Sequence, residues 1–142
     1  MRLPDVNVLV YAFREDTDRH AEYRGWLEAL LGGAEAYGVS DLVLSGFLRV
    51  VTHPRVFARP APLRKASDFA AAVRAQPNAV PLAPGARHWT IFVDLLEKSD
   101  ARGNLVPDAY LAALAIESGS EWITTDRDYA RFPGLRWRHP LD

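Results

Sequence analysis

"VPDAYLAALAIESGSEWITTDRDYARF", residues 106–132, carries a helix, a strand and a helical turn in one run. Pro107 suits the first turn of a helix, where its missing N–H is no loss. An Ala/Leu body follows, and Gly119 supplies the stop. "EWITT" is rich in β-branched and aromatic residues and reads as a strand. "DRDYARF" reads as a helical turn. A helix that feeds a strand is part of a crossover unit, and crossovers join parallel strands.

The same alternation runs through the chain. "MRLPDV" is a short apolar strand. "NVLVYAF" continues as a helix or a strand, and its periodicity does not decide between them. "HAEYRGWLEALLGG" spaces Tyr23, Trp26, Leu27, Leu30 and Leu31 as a helix does and stops at Gly32-Gly33. "AYGVS" is a second strand. "DLVLSGFLRVVT" is a helix with Ser40 or Asp41 as its N-cap, ending before Pro54. "APLRKASDFAAAVRAQ" is a helix with Pro62 near its start, and "NAVPLA" is a third strand. "ARHWTIFVDLLEKSD" is a helix with Trp89, Phe92, Val93 and Leu96 on one face. "LRWRH" is a final strand, and the Pro-rich stretch 54–62 is a loop. Strands alternating with helices imply an α/β/α sandwich on a parallel sheet.

The chain has 142 residues and neither repeat nor linker, so residues 1–142 form one domain. Apolar residues make up 49% and charged residues 25%, a globular balance. No cysteine is present, which excludes disulfides, zinc–thiolate sites and thiol catalysis. No apolar run approaches the roughly 18 residues of a membrane span. No secretory leader is read at the N-terminus, so a cytoplasmic location is expected.

The net charge of −1 does not itself mark a nucleic-acid binder. Charge is nonetheless segregated. Residues 15–41 hold seven acids against Arg19 and Arg24, whereas residues 49–67 hold five cations and no acid. Fifteen of the 17 cations are Arg. GC-rich coding accounts for most of that bias, although Arg is also the better fork for phosphate oxygens.

Ligands of a parallel α/β sheet bind outside the carboxyl ends of its strands. Asp5 closes the first strand and Asp126 follows "EWITT". Asp108 lies in the first turn of the helix that leads into that strand. Each acid has an ordinary structural reading: a turn residue, an N-cap and a helix-dipole partner. Brought together, three carboxylates repel unless a cation neutralises them. An all-oxygen set favours Mg²⁺ or Mn²⁺, and such sites serve phosphate chemistry. Asn7 is placed to hydrogen-bond Asp5 or a water on the metal. Thr124 and Thr125 are placed to orient Asp126 or a water.

These motifs carry a family resemblance. "LPDVNVLVYAF" is similar to the opening motif of the PIN-domain ribonucleases, in particular the VapC-type toxins of bacterial toxin–antitoxin pairs. "PDAYLAALAIESG" resembles the family's second acid-bearing helix and "ITTDRDYARF" its closing motif. "FLRVVTHPRVF" resembles a stretch of one VapC subgroup. The resemblance runs from Leu3 to the C-terminal "GLRWRHPLD". It implies a three-layer α/β/α PIN domain on a five-stranded parallel sheet. It also implies a Mg²⁺-dependent endoribonuclease acting as a toxin, a homodimer, and a VapB-type antitoxin that blocks the site. Asp5, Asp108 and Asp126 would be the catalytic metal ligands, with Asp128 as an auxiliary acid.

In one place the chain departs from the pattern: Gly46 stands where the family often has Glu. A second metal would then have fewer ligands. Either one metal suffices, or Asp128 or Asp41 compensates, or activity is weak. The alternative is a degenerate PIN domain that binds RNA or antitoxin without cutting. A receiver-type or haloacid-dehalogenase-type phosphoryl transfer is disfavoured, because Lys65 and Lys98 are unsuitably placed. Arg49 either faces the site or pairs with Asp41, and Arg49 and Arg55 are candidates for RNA phosphates. His20 and His53 read as caps or packing residues. Trp26, Trp89 and Phe92 read as core or dimer contacts.

Overall fold

The strands are short, two or three residues each, and Pro4 and Pro81 close the first and third. The computed structural model describes all residues from Met1 to Asp142. Its strands are β1 (Arg2–Pro4), β2 (Tyr37–Val39), β3 (Ala79–Pro81), β4 (Glu121–Ile123) and β5 (Trp137–Arg138). All pair in parallel, in the order β3-β2-β1-β4-β5. The helices are α1 (Val6–Phe13), α2 (His20–Gly32), α3 (Asp41–Val51), α4 (Leu63–Arg74), α5 (His88–Ser99) and α6 (Leu105–Glu117). A 3-10 turn covers Arg127–Arg131. The expected α/β/α sandwich is therefore present, with every strand and helix of the sequence reading in its place.

The strand order has a functional consequence. From β1 the chain moves outward through β2 and β3, then returns to the other side of β1 for β4 and β5. The order reverses beside β1, and such a switch point opens a crevice at the carboxyl ends of the strands. Arg2, Leu3 and Pro4 lie opposite Glu121, Trp122 and Ile123. Both strands thus end level, and Asp5 and Asp126 follow at the same edge.

"NVLVYAF", left open by its sequence, is helical. Asp5 is the N-cap: its backbone is extended and its Oδ1 accepts the Val6 N–H at 2.6 Å. The apolar period is faint because α1 is wrapped on most sides: Val8, Leu9, Val10 and Ala12 are all buried. It packs against α2 and α3. On α6, Ala109, Ala112, Ala113 and Ala115 are buried, and α5 packs against it. Gly119 ends that helix at φ 66°, the left-handed conformation that glycine adopts without strain. Trp122, Tyr37 and Phe47 are the largest fully enclosed side chains. Trp89 of α5 is 67% exposed, which removes the core alternative for it. The buried side of that helix is instead carried by His88, Phe92 and Leu95.

Gly46 has a packing reason. A Cβ built there would lie 2.9 Å from Val6 Cγ2, and Val is stiff about χ1. The glycine lets α3 approach the first turn of α1, directly beside Asp5. Gly46→Ala sets about 1 kcal/mol of helix propensity against overpacking of about 1–3 kcal/mol. The expected outcome is lower stability in the native background and higher stability in a Val6→Ala background. Chemical denaturation of the four proteins of this double-mutant cycle measures it. Equal effects in the two backgrounds would show that the contact does not constrain the helices.

Candidate active site

The crevice at the switch point is a cleft of about 760 Å³. Asp5, Asp108 and Asp126 line it together with Asn7, Gly46 and Arg49. Three separate segments deliver the acids: the end of β1, the first turn of α6 and the end of β4. Tyr11, Val50, Phe57, Phe92 and Tyr110 are among the residues that form its apolar walls.

Asp5 is only 5% exposed and is held from three sides. Its Oδ2 accepts the Thr124 hydroxyl at 2.7 Å and Asn7 Nδ2 at 3.1 Å, and its Oδ1 accepts Val6 N–H. A carboxylate offers about four lone-pair sites, so one remains for a ligand. Asn7 also donates to Thr124 Oγ1 at 3.2 Å and accepts the Thr125 N–H at 3.2 Å. Thr124 Oγ1 in turn accepts the Asp126 N–H at 3.0 Å. Asn7 and Thr124 therefore lock the ends of β1 and β4 to each other. Thr125 takes part through its backbone.

The other two acids are less constrained. Asp126 Oδ1 caps the 3-10 turn by accepting the Asp128 N–H at 2.9 Å. Asp108 Oδ1 accepts the Tyr129 hydroxyl at 3.3 Å. In both, Oδ2 has no protein donor and is free for a ligand. Tyr129 is a cleft-lining partner of Asp108 that the sequence reading missed. It is buried against Trp122 and Phe132. Its only signal was an aromatic three residues after Asp126.

Electrostatics match this geometry. Burial pushes the Asp5 carboxyl up to about 6, with Thr124 and Val6 opposing and the charges of Asp108 and Asp126 adding to the rise. Burial also raises Asp108; the Tyr129 hydrogen bond and Arg131 oppose this, and Asp126 and Asp128 reinforce it. Burial, followed by the charges of Asp5 and Asp108, raises the Tyr129 phenol, so it acts as a fixed donor. No three of these groups already form a closed ligand cage around one point. The donor set is all oxygen, mutually repulsive and partly unpartnered, which suits a hydrated hard cation that takes one or two carboxylates directly.

The remaining candidates divide. Arg49 faces the cleft, and Asp41 instead pairs with Arg74 at 2.8 Å. Asp41 is therefore not available to replace a carboxylate at Gly46. Asp128 is exposed and stands outside the cleft wall, acting on Asp108 only through its charge. Arg55 is exposed outside the cleft, and its N–H donates to His53 Nδ1 at 3.0 Å. His20 contacts the Tyr11 carbonyl at 2.8 Å, so both histidines are structural. Phe92 joins the cleft wall, whereas Trp26 is half-buried against the core.

Comparison with known proteins identifies the family. The PIN domain family model matches residues 2–135. VapC ribonuclease Mb2897 of Mycobacterium bovis is 51% identical over 138 residues, 97% of this chain and 94% of that protein. Ribonuclease VapC25 of Mycobacterium tuberculosis is 41% identical over 140 residues, 99% of each. The crystal structure of VapBC2 from Rickettsia felis, bound to a promoter DNA fragment, matches with a TM-score of 0.68 at 19% identity. It covers 97% of both chains and is a likeness of fold.

The raised Asp5 carboxyl carries a signed consequence. The neutral form contributes stability that is complete below the unfolded value near 3.8 and is lost as pH rises through about 6. Without divalent metal, native stability should fall between about pH 4 and pH 7 relative to Asp5→Asn, by on the order of 3 kcal/mol. Thermal unfolding of both proteins across that range measures it. A constant difference would show that Asp5 is not crowded by burial and charge.

Proposed function

The chain belongs to the PIN-domain family as one of its VapC-type ribonucleases, and from that membership we propose that it is the toxin of a toxin–antitoxin pair, a metal-dependent endoribonuclease. The observation that carries the reading is the convergence of Asp5, Asp108 and Asp126 on one cleft at the sheet's switch point. Asp5, Asp108 and Asp126 would hold Mg²⁺ or Mn²⁺. When bound, such an ion polarises a phosphodiester and activates water toward it.

The chain's own groups do the positioning. Thr124, Asn7 and the Val6 N–H hold the Asp5 carboxylate in one orientation, so little reorganisation is left for the reaction. Tyr129 fixes one oxygen of Asp108 and leaves the other toward the cleft. Arg49 offers a cation to a phosphate of the same strand. The missing carboxylate at Gly46 leaves one side of the metal site underfilled. Cleavage should then need a high metal concentration or favour Mn²⁺.

Two partners belong to the same reading. A VapB-type antitoxin would lie over the cleft and bring a cation, most simply Arg, because a guanidinium neutralises clustered carboxylates as a metal does. A homodimer would use apolar surface such as Trp89, which is exposed on α5 beside Phe92. Gly46 and the open carboxylate set also support a second reading, a PIN domain that binds RNA or antitoxin without cleavage.

RNA cleavage against Mg²⁺ and Mn²⁺ concentration decides between them. Asp5→Asn, Asp108→Asn and Asp126→Asn should each lower cleavage by on the order of 100-fold or more. Saturating antitoxin should suppress cleavage and metal binding together. RNA binding with no metal-dependent cleavage would establish the second reading.

A further inference from the structure

Arg14 is the least expected buried residue in the chain. It follows α1 directly and caps it, its N–H donating to the Val10 carbonyl at 2.9 Å. The residue is only 8% exposed. Its guanidinium forms a two-pronged pair with Asp16, with Nε 2.8 Å from Oδ1 and Nη2 on Oδ2. Nη1 donates to the Arg59 carbonyl at 2.8 Å, and the guanidinium carbon lies 3.9 Å from the Phe57 ring centroid. A buried cation that commits three of its five N–H donors to one carboxylate and one loop carbonyl, and stacks on an aromatic face, is a latch.

The latch acts on the segment that joins α3 to α4. That segment is tied to its own ends: Val56 and Phe57 N–H both reach the His53 carbonyl at 3.1 Å, and Ala61 N–H reaches Val51 at 2.8 Å. The hydrogen bond to Arg59 and the stack on Phe57 tie its middle to α1. Val56 and Phe57 form a wall of the acidic cleft, and Val56 is 54% exposed. Asp5 caps the other end of the same helix. The carboxylate and this wall are therefore both referred to one helix, with a fastening at each end.

We propose that Arg14 is a positioning residue that fixes the Val56–Phe57 wall relative to Asp5 and so governs how the cleft engages its RNA. The effect on RNA rests on the ribonuclease reading; the latch itself does not. Arg14 does not itself line the cleft and bonds none of Asp5, Asp108 and Asp126, so its removal should weaken substrate engagement and leave the chemical step in place.

The test uses the full chain with Arg14→Lys, Arg14→Met and Asp16→Ala, the last being a surface change that loosens the fork if Arg14→Met fails to fold. Amide hydrogen exchange should rise at residues 54–61 in each variant and stay unchanged at residues 5–9 and 122–126. In RNA cleavage, KM should rise about 10-fold for Arg14→Met with kcat within about twofold. Arg14→Lys should recover little, because an ammonium cannot reproduce the fork or the stack. Unchanged exchange at 54–61 would overturn the latch. Loosened exchange with unchanged KM would overturn its role in RNA engagement, as would a fall in kcat alone. A wild-type chain that fails to cleave would count against the ribonuclease reading, while the exchange result would still decide the latch.

Discussion

The hydroxyl of Thr124 is the interaction on which the rest of the site depends. It is fully buried, with its single donor directed at Asp5 and its two acceptor positions taken by Asn7 and the Asp126 N–H. A hydroxyl has no further capacity. It can join these groups only because β1 and β4 are neighbours in register and end level. The arrangement fixes two carboxylates near one another, and their repulsion adds to the burial that raises Asp5. Strand pairing, capping and hydrogen bonding supply the compensation that lets this unfavourable charge distribution persist in the fold.

Helix α1 distributes that constraint through the cleft. It is eight residues long, or about 12 Å at the α-helical rise, and largely enclosed in the core. Asp5 begins it, Gly46 of α3 packs on Val6 in its first turn, and Arg14 closes it. The floor and two walls of the cleft are therefore referred to one rigid element. A close-packed interior transmits small displacements rather than absorbing them, so residues distant from the carboxylates can set the dimensions of the site.

The cleft is chemically divided. Its carboxylates gather at the strand ends, Arg49 lines the same cleft, and the remaining wall is largely apolar. Neither Asp41, paired with Arg74, nor Asp128, exposed outside the wall, moves into the place left by Gly46. The glycine admits a close helix approach where a longer side chain would have brought a fourth acid. A backbone packing solution has been accepted at a position where the PIN resemblance led us to expect a charged group. The electrostatic load on Asp5, Asp108 and Asp126 is correspondingly concentrated.

Local chemistry made much of the molecule legible in its sequence. Pro107 and Gly119 bracketed α6, Gly32 and Gly33 marked the end of α2, and β-branched "EWITT" formed β4, because caps, stops and propensities act within a few residues. Alternation of strands and helices implied a parallel sheet, and a parallel sheet implied ligands at its carboxyl edge, where Asp5, Asp108 and Asp126 were found. The state of "NVLVYAF" was not legible, because a helix enclosed by its neighbours loses the one-sided apolar stripe that identifies it. The exposure of Trp89, the Tyr129 bond to Asp108, the Gly46 contact with Val6 and the Arg14 hold on Phe57 were decided only by tertiary structure. Each depends on segments far apart in the chain, and a one-dimensional pattern cannot encode which of them fold into contact.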